Sequence, residues 1–150
     1  MRSAWRLAVA AVLITVSTAW TGIEWNGGSI QWFPYQQGVL TARTQKKPMC
    51  LVIYTEWCPH CRAYSNVFRD PHVIAMSRHF VMVHVDADQE PGVARQHAPE
   101  GNSIPRTFFL SSAGVPNLAL TSGGKNKYVY SESDPASLLN GMQRAAASLH

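Results

Sequence analysis

Two cysteines stand three positions apart in Trp57-Cys58-Pro59-His60-Cys61, and thiols at that spacing can form, break and exchange a disulfide. A free thiol has a pKa of about 8.5 and is only a few per cent thiolate near neutral pH, so reactivity needs local help. The preceding run Cys50-Leu51-Val52-Ile53-Tyr54 is short, apolar and partly β-branched, which predicts a strand covered on both faces. Thr55-Glu56-Trp57 is the turn, and Pro59 suits the first turn of a helix, where its missing N–H costs nothing. Cys58 is therefore expected at a helix N-terminus. The unpaired N–H groups there contribute about 0.3–2 kcal/mol to a thiolate, which is about one pKa unit. His60 lies between the two cysteines and, when protonated, can add a positive charge or an N–H donor near the Cys58 sulfur. These placements make Cys58 the attacking thiol and Cys61, one helical turn inward, the resolving thiol. A stabilised Cys58 thiolate is also a better leaving group, so the expected bias is towards donating disulfides. The competing reading of Cys58 and Cys61 is a structural disulfide or a pair of inert thiols.

The motif Trp57-Cys58-Pro59-His60-Cys61 after an apolar strand resembles the active site of the thioredoxin superfamily, and its tetrapeptide is similar to that of strongly oxidising periplasmic disulfide-forming proteins. Ser103-Ile104-Pro105-Arg106-Thr107-Phe108-Phe109-Leu110 resembles the cis-proline strand of small thioredoxin-like proteins of the endoplasmic reticulum, including the anterior-gradient relatives. Phe68-Arg69-Asp70-Pro71-His72-Val73 is similar to the C-terminal domain of bacterial thiol:disulfide interchange proteins. The resemblance spans roughly Ile30 to the C-terminus. It implies an α/β thioredoxin fold, a mixed central β-sheet flanked by helices on both faces. It also implies a Cys58–Cys61 redox disulfide, a cis Pro105 facing it, and Ile104 backbone and Trp57 as a platform for extended client peptides. Two positions depart from the pattern. Val52 stands where such proteins carry a buried acid, so proton exchange at Cys61 must use water or another group. Asn66 stands where a helix-kinking proline is usual.

Met1 to Ala19 reads as a secretory signal. Arg2 and Arg6 flank an apolar core, Leu7 to Val16, and Ser17-Thr18-Ala19 is a small-x-small cleavage site. That core is shorter than the roughly 20 apolar residues needed to span a bilayer, and the other reading is an uncleaved anchor. Export suits a dithiol that must be kept oxidised and recycled. The C-terminal Ala147-Ser148-Leu149-His150 is not a Lys-Asp-Glu-Leu retrieval signal, which favours a periplasm, or secretion, over an endoplasmic reticulum. After the signal the chain has one domain's length, and a 46% hydrophobic content suffices for a core without disulfide staples. Arg2 and Arg6 account for two of the net +4 charges, and the remainder is too mild for nucleic-acid binding.

The elements that must position the dithiol follow from the pattern. Residues 20–29, with two adjacent glycines and no sustained periodicity, read as a loosely constrained lead-in to a domain over 30–150. An edge strand is expected over Ile30–Trp32 and a helix from Pro34 to Lys46, stopped by Pro48. After the Cys58 helix and the Asp70-Pro71 break, the run Phe80–Val85 predicts a second buried strand, parallel to the first through a right-handed crossover. A short helix is expected from Pro91 to His97. Strands are expected over Thr107–Leu110 and Leu118–Thr121, with Tyr128–Tyr130 continuing the sheet or lying at its edge. Ser133-Asp134-Pro135 starts a last helix, whose Leu138, Leu139, Met142 and Ala146 form one stripe.

Other residues have quieter readings. Cys50 is expected to be a small packed hydrophobe rather than a regulatory thiol. Trp57 is expected to be half core and half platform, and Arg106 solvated. His72, His79, His97 and His150 read as surface or internally satisfied. Cys58, Cys61, His79 and His84 approach a Cys2His2 zinc spacing, but the gap is long and His84 falls in a strand, so no metal and no cofactor is expected. The function this reading supports is thiol:disulfide exchange with protein thiols or disulfides, sustained by a redox recycling partner. The alternatives are a disulfide reductase of the same fold, a thioredoxin-like binding module, or a copper(I) carrier using the reduced dithiol.

Overall fold

A computed structural model describes residues 22–149; the expected signal segment, Met1 to Ala19, lies outside the described residues. In chain order the elements are β1 (Trp32–Phe33), α1 (Tyr35–Gln45), β2 (Met49–Tyr54), α2 (Pro59–Ser65), α3 (Pro71–Ser77), β3 (Val81–Asp86), α4 (Pro91–Gln96), β4 (Arg106–Leu110) and α5 (Pro135–Ser148). A 3₁₀ turn over Asn66–Arg69 joins α2 to α3. Helix starts follow local chemistry. Pro59, Pro71, Pro91 and Pro135 all occupy first turns. The Asp70 carboxylate accepts from His72 N and Val73 N, and Asp134 accepts from Ala136 N, satisfying N–H groups left over at α3 and α5.

The strands lie in the order β1-β3-β2-β4, with β1 and β2 parallel to β3 and β4 antiparallel to β2. Every residue of β2 is buried, as its unbroken apolar run requires. Cys50, Val52 and Tyr54 pack on one face with residues of α2, α3 and α5; Met49, Leu51 and Ile53 pack on the other with residues of α1 and α4. This is the mixed sheet with helices on both faces that the sequence led us to expect. On the second face α1 approaches β3 so closely that a Cβ on Gly38 would lie 2.3 Å from Val83 Cγ2.

Four expectations are corrected. Residues 22–29, the described part of the expected lead-in, are not loose. Ile23 and Trp25 are buried in the core, as is Ile30 just beyond them, and Trp25 packs edge-on against Trp32, Tyr54 and Phe68. The segment lacks periodicity because its apolar residues dock singly into an aromatic cluster instead of lying along one regular face. The strand expected over Leu118–Thr121 does not form; the stretch covers the open edge of β4 with isolated bonds, and Tyr128–Tyr130 lies at the sheet's edge, the second of its two readings. Thr107 N donates to Tyr128 O, Asn117 N to Phe109 O, and Ser111 N to Val115 O. Arg106 is buried, not solvated. Trp57 is 70% exposed and contributes no core half.

Two histidines are sequestered. His84 sits among the rings of Trp25, Trp32 and Tyr54, and His97 pairs through Nε2 with Tyr35 OH at 3.1 Å. Burial lowers both pKa values, and the nearby Arg106 charge lowers that of His97 further. A histidine with a folded pKa below its unfolded value binds its proton more readily in the unfolded chain. The stability that depends on its being neutral is complete above the ordinary value of 6.5 and is lost as the pH falls below it. The urea midpoint is therefore expected to fall between pH 7 and pH 5, with proton uptake on unfolding rising towards about two. A midpoint independent of pH over that range would show that neither ring is buried neutral.

Candidate active site

The parallel β2 and β3 end together, and the chain leaves β2 through Thr55-Glu56-Trp57 directly into α2. Cys58 is the residue preceding the helix, in extended conformation, and its sulfur accepts the Cys61 N–H at 3.1 Å. The thiol thus acts as the cap of its own helix. Its sulfur lies at the N-terminal end of the helix, beside the Cys61 N–H. Cys61 lies one turn inward and is 0% exposed, against 4% for Cys58. Burial, and next the adjacent Cys58 sulfur, push the Cys61 thiol well above the ordinary thiol range. The two thiols are therefore unequal: Cys61 is held protonated in the interior while Cys58 lies at the surface end of the pair. Both are free thiols in the structure, as is Cys50. Cys50 is wholly buried in β2, and burial raises its pKa.

The register Ile53↔Arg106 between β2 and β4 sets the other wall of the site. Continuing it outward brings Pro105 and Ile104 beside the end of β2 from which the dithiol turn departs. The Ile104–Pro105 peptide bond is cis. Pro105 is buried and Ile104 half-buried. A groove of about 390 Å³ runs between Trp57 and Ile104 and is lined also by Ala87, Pro91 and Ala94. Trp57 stands over it with its indole N–H donating to Asp88 Oδ2 at 2.8 Å, which fixes the plane of an otherwise exposed ring.

Of the residues the sequence singled out, Trp57, Cys58, Pro59, Cys61, Ile104 and Pro105 come together at this end of the sheet. His60 is beside them, but its ring is engaged elsewhere: Nδ1 donates to Glu132 Oε2 at 2.8 Å. Among the described residues His60 makes no hydrogen bond to the Cys58 sulfur. Glu132 and Asp88 were missed by sequence reasoning. They lie 72 and 31 positions from the residues they hold, and an isolated exposed acid carries no local signal of such a partner. Val52, where related active sites place an acid, is buried among apolar residues. His79 is exposed beyond α3 and His84 is enclosed by aromatic rings, so these two do not join Cys58 and Cys61. Among the described residues no cluster of three or more His, Cys, Asp or Glu side chains could hold a metal ion.

Comparison with known proteins agrees with this geometry. Over residues 31–112, more than half of the chain, the sequence matches a family model described as thioredoxin-like. Among curated proteins it is similar to the human anterior gradient protein 2 homolog, at 25% identity over 87% of this chain and 71% of that one. It is 27% identical to anterior gradient protein 1 of Xenopus laevis, covering 82% of this chain and 68% of the relative. Among solved structures, a thioredoxin from Thermus thermophilus superposes with a TM-score of 0.58 at 20% identity, covering 77% of this chain and 86% of the other. A putative disulphide-isomerase from Bacteroides thetaiotaomicron gives 0.58 at 22% identity, over 81% and 94% of the two chains. With the fold, the capped dithiol and the matched region in agreement, the chain belongs to the thioredoxin-like family.

Proposed function

We propose that the protein is an exported thiol:disulfide oxidoreductase acting on protein substrates through Cys58 and Cys61. The observation that carries this reading is the inequality of the two thiols. Cys58 caps α2 next to Trp57, which lines the groove, while Cys61 is fully buried and disfavoured as a thiolate. A structural pair has no need of that asymmetry. In the donating direction a client thiolate attacks the Cys58 sulfur of the oxidised pair, and Cys61 leaves with the electrons of the broken S–S bond and takes up a proton. A second client thiolate then attacks the client sulfur of the mixed disulfide. Cys58 is expelled as the thiolate stabilised by the helix N–H groups, and the client carries the new disulfide. One client dithiol is oxidised and one enzyme disulfide reduced. Reoxidation falls to a separate redox partner.

Trp57 and Ile104 supply the walls of the groove, and the Ile104 backbone beside Pro105 offers a short edge for an extended client. The fold shared with a thioredoxin and with a disulphide isomerase from Xylella fastidiosa supports the same class of chemistry. Export rests on the Met1 to Ala19 segment, and it would place the dithiol in a periplasm or outside the cell. The bias towards donation rests on the Cys58 cap, since the His60 ring is held by Glu132. It is tested by equilibrating the Cys58–Cys61 pair against glutathione. A potential closer to about −120 mV than to about −270 mV is the expected result. A value at the lower end would make the protein a reductase of the same fold. An alkylation pKa for Cys58 left near about 8.5 would count against a catalytic role altogether.

A further inference from the structure

Arg106 follows Pro105 immediately and is 4% exposed, yet no carboxylate pairs with it among the described residues. Burying an arginine without a counter-charge is costly, and it persists only where its donors are well used. Here they are. Nε donates to His97 O at 2.8 Å, Nη2 to Ala94 O at 2.7 Å and Nη1 to Ser103 O at 3.1 Å. Two of those carbonyls belong to the last turn and C-terminal cap of α4. They are groups that a helix leaves unpaired, and they carry the negative end of its dipole. The third lies two residues before Pro105.

One guanidinium therefore closes the loop 97–105 upon the start of β4. On one side the space beside it is about 20 Å³, enough for a water; on the other Arg106 forms part of the floor of the groove between Trp57 and Ile104. Tyr35, His97, Phe108 and Tyr128 surround the region, and burial together with the Arg106 charge keeps His97 neutral. Arg106 underlies the groove but hardly reaches its surface, so it acts on a client only through the loop it fastens.

We infer that Arg106 is a positioning residue for client binding. Its three hydrogen bonds to the Ala94, His97 and Ser103 carbonyls hold Ile104 and Pro105 in place opposite the dithiol. The inference rests on the proposed oxidoreductase function. A lysine would keep the charge, but its three donors share one nitrogen and cannot span carbonyls that Arg106 reaches with three separate nitrogens, and a methionine would keep much of the volume with no donor.

The test has two readouts. Hydrogen exchange of the backbone amides over 97–104 is measured in the wild type, Arg106→Lys and Arg106→Met, with β2 and β3 amides as the internal reference. Steady-state oxidation of a two-cysteine client, with saturating oxidised glutathione to regenerate the Cys58–Cys61 disulfide, gives kcat and KM for each. In Arg106→Lys, loop exchange is expected to accelerate about tenfold relative to the reference strands, and the client KM to rise about tenfold with kcat within about twofold, the loss of one to two charge-assisted hydrogen bonds. Arg106→Met is expected to do the same more strongly; if it does not fold, the lysine variant decides alone. Unchanged loop exchange, or a loosened loop with KM unmoved, overturns the inference, as does a fall in global stability with both ratios unaltered. If the wild type fails to oxidise the client, the proposed function falls instead, and the exchange data alone then decide whether Arg106 holds the loop.

Discussion

Cys58→Ser is expected to abolish disulfide exchange with a protein client, lowering the rate by more than about a thousandfold, because a hydroxyl neither ionises near neutral pH nor forms the mixed disulfide. Cys61→Ser should behave differently. With an oxidised client, its Cys58 thiolate attacks one client sulfur and expels the other as a thiol, giving a mixed disulfide. No resolving thiol remains, so the adduct persists until an external thiol cleaves it. Non-reducing electrophoresis and intact mass read the adduct directly. The two variants must differ, since the structure makes the thiols unequal: Cys58 caps α2 and keeps 4% exposure, whereas Cys61 is fully buried with its pKa raised by that burial. Full exchange by Cys58→Ser, or equal trapping by both serine variants, would overturn the assignment.

Trp25→Ala is expected to cost about 3–5 kcal/mol of folding stability, the range for removing a large aromatic from a packed core. For a domain whose total stability is of order 5–15 kcal/mol, that is a large share. The ring is 3% exposed and lies within 4.9–6.0 Å, centroid to centroid, of Trp32, Tyr54, Phe68 and His84. The same segment reaches the turn before the dithiol: Ile23 N donates to Glu56 Oε2 at 2.7 Å, and Tyr54 OH donates to Glu56 Oε1 at 3.1 Å. Urea unfolding followed by circular dichroism measures the loss. A change under about 1 kcal/mol would mean that residues 22–30 lie on the domain without belonging to it.

What could be read from the chain alone was whatever a few neighbouring residues decide together. The β2 run, the prolines that open α2, α4 and α5, the Asp134 start of α5 and the placing of Cys58 before α2 all depend on contacts within about one helical turn, and each appears in the structure as expected. The parallel pairing of β2 and β3 followed because a strand-helix-strand unit crosses over right-handed, and the fold class followed from the resemblance carried by Trp57–Cys61 and Ser103–Leu110. Spacing alone also separated an outer from an inner thiol, since three positions in a helix is nearly one turn.

The remaining features depend on residues far apart in sequence. His60 meets Glu132, Trp57 meets Asp88, and Arg106 binds three carbonyls of a loop that its own strand brings back. A long polar side chain shows in its sequence what it can donate but not which acceptor folding will bring within 3 Å. For that reason Arg106 read as solvated, and Trp25 as part of a loose lead-in. Periodicity reports a face shared by neighbours, whereas a residue that docks alone leaves no period behind. Composition likewise could not tell that the stretch after Leu110 would cover the edge of β4 through single bonds instead of a ladder, because strand pairing is settled by the partner's geometry as much as by the residues themselves.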